Sequence, residues 1–175
     1  MATKLKWCVC AYVLGSLLLL CGFSFFLPAD AVHDSGSIAL VDGWATSLVV
    51  DAVLMSEGSS HPVALRITYL AMILLAVLGA FFLAIAMGRK APPVTSFLPQ
   101  NMKVSGGFLL LAALLLVSTP FLPLGDVRLP IVQSVQEGIK HARGSLAIWS
   151  CLFFIAQAAM WFFIFNYLFS KLKQA

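Results

Sequence analysis

Of the chain's 175 residues, 61% are hydrophobic and only 10% charged, and mean hydropathy is +0.99. A soluble domain carries about 25% charged residues, so a water-soluble enzyme is excluded and the chain is expected in a bilayer. The net charge of +4 does not indicate nucleic-acid binding, because the cations sit at membrane boundaries rather than in a basic groove or stripe.

The first apolar stretch runs from Trp7 to Pro28. Its leucine block, Leu17 to Leu20, can cover a helix on every side, as hydrocarbon requires. Pro28 lacks the donor needed to continue the ladder, so the exit is expected at Leu27-Pro28. Lys4 and Lys6 before an apolar run, with Ala29-Asp30-Ala31 after it, resemble a signal peptide and its cleavage site. The run exceeds the usual apolar core of about 7 to 15 residues, which favours an uncleaved span.

His33 to Gly43 reads as polar and turn-like, and the apolar pattern resumes from Trp44 to Met55. That second stretch is too short to cross and carries Asp51. A short helix lying on the outer surface, or tucked against the bundle, is expected. Ser56 to Pro62 closes it, and the second span, Val63 to Gly88, follows. Here Ala76, Ala80, Ala84 and Gly88 recur every fourth residue, and Gly79 broadens the row. Small side chains on one face permit close helix approach, either within the bundle or to a partner subunit.

Arg89 to Ser105 is positive and rich in breakers, including Pro92-Pro93. Gly106 to Leu124 is the third apolar stretch. Beyond it, Ile131, Val132, Val135 and Ile139 share a face opposite Gln133, Glu137 and Lys140, which predicts a second interfacial helix. Leu146 to Phe169 is the fourth span, with Gln157 near its middle. An amide in that position needs a partner across helices, so Gln157 is read first as packing glue.

The charges orient these spans. The termini and the middle connection hold seven cations and no acid, whereas the other two connections and their edges hold all seven acids against four cations. By the positive-inside rule both termini and the middle connection are cytoplasmic. Arg66, Arg89, Lys90, Lys103 and Arg143 are candidate contacts for lipid headgroups.

Catalytic chemistry is sparse. His33, His61 and His141 fall in the external connections, where satisfied surface roles are expected, and no metal-binding helix motif accompanies them. Cys8, Cys10, Cys21 and Cys151 lie in or near spans and are read as small apolar packing. No phosphate-binding loop, dinucleotide fingerprint or nucleophile elbow occurs. No catalytic, cofactor or metal residue is therefore assigned. Phe26-Leu27-Pro28 and Phe121-Leu122-Pro123 hint at two related hairpins, but recurrent membrane-exit chemistry explains them better.

The sequence thus predicts an all-α polytopic protein of a bacterial inner or plasma membrane, with four spans and two short external interfacial helices. The expected role is a noncatalytic accessory or assembly subunit whose partners are membrane lipids and other membrane subunits. A component of a lipid or small-solute transporter is the alternative.

Overall fold

The computed structural model describes residues 2–29, 36–87 and 130–172. All regular structure among them is helical: α1 (Ala2–Phe26), α2 (Gly36–Leu48), α3 (Val50–Ser56), α4 (Pro62–Met87), α5 (Pro130–His141) and α6 (Arg143–Leu172). Three of these, α1, α4 and α6, contain stretches long and apolar enough to cross a membrane: Trp7–Phe26, Pro62–Ala86 and Arg143–Phe169. The third apolar stretch of the sequence, Gly106 to Leu124, lies outside the described residues.

Local chemistry sets the helix ends. α1 stops one residue before Leu27-Pro28, and Pro62 occupies the first position of α4, where its missing N–H costs nothing. α3 ends at Ser56, and the chain turns through Gly58 at φ +74°, a left-handed conformation that glycine adopts without a Cβ clash.

The stretch predicted as one short helix from Trp44 to Met55 is two helices, and the residues read as turn-like before it are helical from Gly36. Gly36 and Gly43 give that segment its turn-like composition. Packing of Asp42 and Ala45 against the bundle offsets the low helix propensity of the two glycines. The break falls at Val49, whose φ of −122° and ψ of 85° are not helical. Bonds from Val49 N to Ala45 O and from Val53 N to Val49 O tie the two helices together across the bend.

Three contacts fix helix direction. Arg143, opening α6, reaches the last turn of α1, and Val63 N, opening α4, donates to Ala29 O at 3.2 Å. Further along, Phe81 of α4 meets Phe165 of α6 with ring centroids 5.5 Å apart. The Phe26, Pro62 and Arg143 ends therefore share one end of the bundle. α4 and α6 run parallel to each other, and α1 runs antiparallel to both.

The short helices gather at that shared end. Their residues Ala45, Val49, Ala52, Met55 and Ile139 join Leu20, Leu65, Tyr69, Met72, Leu146 and Phe154 in one buried apolar core. A smaller cluster around Ile164, with Met160, Trp161 and Phe163, lies further along α6. Helix α4 is central, packing on α1, α2, α3 and α6.

Candidate functional site

Of the ionisable residues that the sequence singled out, Arg66, His61, His141 and Arg143 lie at the shared end of the bundle. Arg66, one turn into α4, points its guanidinium at Asp42 of α2. Nε donates to Oδ1 at 2.7 Å and Nη2 to Oδ2 at 2.6 Å, while Nη1 donates to Ser56 Oγ at 3.1 Å. Ser56 Oγ donates in turn to Val53 O at 2.7 Å. This planar fork matches the carboxylate bidentately, and both side chains are largely buried. One residue expected at headgroups thus holds α2 and α3 against α4.

A second junction joins the segment before α4 to the end of α5. Ser59, Ser60 and His61 lie across the last turn of α5 and satisfy carbonyls that a helix terminus leaves without intrahelical donors. Ser60 N, Ser59 Oγ and Ser60 Oγ all approach Lys140 O, at 3.0, 3.0 and 3.1 Å. His61 Nε2 lies 2.9 Å from Ile139 O. A carbonyl only accepts, so Nε2 carries the proton, and Nδ1 faces Ser60 Oγ at 2.9 Å.

The sequence assigned His61 a surface role. It is buried, at 2% exposure. Burial pushes its pKa below the ordinary 6.5, reinforced by the nearby Arg143 and His141 charges and opposed by the bond to Ile139. His141 itself is exposed, 3.2 Å from Glu137 one turn earlier on α5.

The third junction is Arg143, whose Nη1 donates to Phe25 O at 2.7 Å and Leu27 O at 2.8 Å. A cation there meets the negative end of the α1 dipole. Both arginines were expected at headgroups; Arg66 turns its fork to Asp42, and Arg143 donates from Nη1 to the carbonyls that end α1. The signal for Arg66 was present in the sequence: a cation inside an apolar helix requires an acid, and Asp42 is available from the preceding connection.

The described part of the small-residue row is turned into the bundle. Ala76, Ala80 and Ala84 are buried. Gly79 receives the Tyr12 ring of α1 so closely that an added Cβ would overlap the ring carbons, and Tyr12 Oη donates to Leu75 O. Gln157 is buried on α6. Gly88, Arg89, Lys90, Lys103 and His33 lie outside the described residues.

Between α1, α4 and α6 is a cavity of about 440 Å³, lined chiefly by apolar groups that include Val13, Ala80, Leu83, Phe154 and Phe162. It suits hydrocarbon better than an ion or a sugar, since polar ligands need placed donors and acceptors. Among the described residues, no group of three or more His, Cys, Asp or Glu side chains could hold a metal ion. Comparison with protein families, with curated proteins and with solved structures gives no match.

Proposed function

We propose that the chain is a noncatalytic accessory or assembly subunit of a membrane complex, built on four spans with both termini in the cytoplasm. One observation carries this reading. Asp42, Arg66, His61 and Arg143 are each engaged in fastening one helix to another. An ion-coupled carrier or a hydrolase instead aims such groups into a cavity or along a path. A rigid bundle with apolar flanks suits the role of holding other subunits in place.

Parallel α4 and α6 support the fourth span. Helix α4 is about 39 Å long at 1.5 Å per residue, and the chain leaves it at the end opposite Arg143. The 42 residues from 88 to 129 must return to α5, and they contain the 19-residue apolar run from Gly106 to Leu124. Orientation draws on charge: Lys4, Lys6 and Lys171 belong to helix ends opposite the acid-bearing short helices.

The test is gentle extraction from native membranes, followed by identification of stoichiometric proteins and retained lipids. A reproducible complex of several subunits is expected. Solute movement by the purified chain alone in vesicles would overturn the accessory reading. It would favour the alternative, a lipid or small-solute transporter component, which draws on the apolar cavity between α1, α4 and α6.

A further inference from the structure

We infer that α2 is embedded in the bilayer interface, with Leu40, Trp44 and Leu48 inserted among the lipids of the outer leaflet. These three residues recur every fourth position and form one stripe, and each remains more than half exposed after the chain has folded. The opposite face supplies Asp42 and Ala45 to the bundle, and Val49 follows them inward at the break after α2. Thirteen residues are too few to span.

Three observations select lipid as the occupant of this face. The first is position. Ala45 and Val49 enter the same core as Leu65, Tyr69 and Leu146, so the inward side of α2 lies against the spans rather than above them. Its outer side is then continuous with the lipid-facing surface of α4. Tyr69 is seven residues into α4, about 10 Å from its Pro62 end, within the depth of about 5–10 Å that interfacial helices occupy.

The second is charge. Every exposed residue of α2 is uncharged, because its single ionisable side chain, Asp42, turns inward to Arg66. Helix α5, in the same layer, behaves oppositely and exposes Gln133, Glu137 and His141, as a face in water does. The third is hydroxyl satisfaction. Beside the stripe, Thr46 Oγ1 donates to Gly43 O at 2.8 Å and Ser47 Oγ to Trp44 O at 3.0 Å, so these two exposed hydroxyls bond their own helix without water. Trp44, with an apolar ring and one N–H donor, suits the headgroup boundary.

The inference rests on the reading that α1, α4 and α6 cross the membrane, and the experiment separates the two. The protein and its Trp44→Phe variant are reconstituted in vesicles of phosphatidylcholine and phosphatidylglycerol whose acyl chains carry bromine near either the headgroup or the methyl end. The fluorescence difference between them reports Trp44. It should be blue-shifted, quenched most by the shallow bromines and insensitive to aqueous iodide. Quenching by iodide would place the stripe in water, and protection from both quenchers would place it under protein. Either result overturns the inference. In the Trp44→Phe variant Trp7, exposed on α1, emits beside the partly buried Trp149 and Trp161, and a residual emission that neither bromine position quenches would overturn the membrane reading as well. A nitroxide at Leu40→Cys, with the four native cysteines changed to serine, repeats the decision with Trp44 retained. Oxygen should relax it more than a water-soluble nickel complex does.

Discussion

Arg143 and Phe25 join the first turn of α6 to the last turn of α1, through a bond of 2.7 Å from Nη1 to the Phe25 carbonyl. The same nitrogen lies 2.8 Å from Leu27 O. A helix leaves its last four carbonyls without intrahelical partners, and near hydrocarbon water cannot be relied on to supply donors. Arg143→Met keeps the apolar stem and removes the donors. It is expected to cost about 1.5–3 kcal/mol, the range for hydrogen bonds involving a charged group. Arg143→Lys should recover part of the loss. Reversible unfolding in mixed detergent measures both, and equal stability of the two variants would remove the cap from the account.

The Asp42–Arg66 pair should show the asymmetry of buried ion pairs. Asp42→Ala leaves a guanidinium without its counterion inside the bundle and is expected to cost about 3–5 kcal/mol. The double change Asp42→Leu with Arg66→Met should cost much less than the sum of the single changes, because it removes the desolvation penalty together with the attraction. Additive losses would mean that the two side chains act independently.

Helical class and three helices long and apolar enough to cross a membrane were legible because lipid imposes a strong compositional rule. Continuous apolar runs with proline at Pro28 and Pro62 leave few alternatives. The α5 face was legible for a similar reason, since Val135 and Ile139 alternate with polar residues at the helical period. The junctions were not. Serine and histidine before Pro62 also describe an ordinary turn, and only the arrival of α5 from some 80 residues away gives them carbonyls to cap. The break at Val49 was equally hidden, because valine continues the apolar pattern on either side and marks no stop.

His61 makes stability depend on pH. Its folded-state pKa is lowered, chiefly by burial, so the unfolded chain takes up a proton first as pH falls. Above about 6.5 the ring is neutral in both states and this contribution is fully present. Below that value stability should decline until the folded-state ring also protonates. Thermal unfolding from pH 7.5 to 5 tests this. His61→Gln, which can still donate to Ile139 O, should flatten the decline, and an unchanged slope would assign the dependence to other groups.

Cys21 and Cys151 offer a distance check on the α1–α6 pairing. Their sulfurs are 3.8 Å apart across 130 residues of sequence, and both side chains are half-buried. In a Cys8→Ser, Cys10→Ser background, copper phenanthroline with oxygen should remove two electrons and two protons from the pair and form one intrachain disulfide. Maleimide labelling after denaturation should then find no free thiol. Interchain dimers, or two thiols still reactive, would mean that α1 and α6 do not meet at this register.

Gly79 is the point where α1 comes closest to α4. The Tyr12 ring lies where a side chain at residue 79 would begin, and its hydroxyl reaches Leu75 O, so ring and glycine form one contact. Gly79→Ala forces the ring away and breaks that bond, with an expected cost of about 1–3 kcal/mol from overpacking. The helix propensity gained by replacing glycine, roughly 1 kcal/mol, offsets only part of this. Tyr12→Ala should rescue Gly79→Ala, because it removes the colliding ring, and a stability cycle over the four proteins should give a coupling of about 1–3 kcal/mol. Ala80→Leu, at a buried position beside the same cavity, should destabilise the folded monomer, whereas Leu78→Ala on the exposed side of α4 should be milder. If Gly79→Ala left both the monomer and the Tyr12 environment unchanged, the row of small residues on α4 would have no part in holding α1.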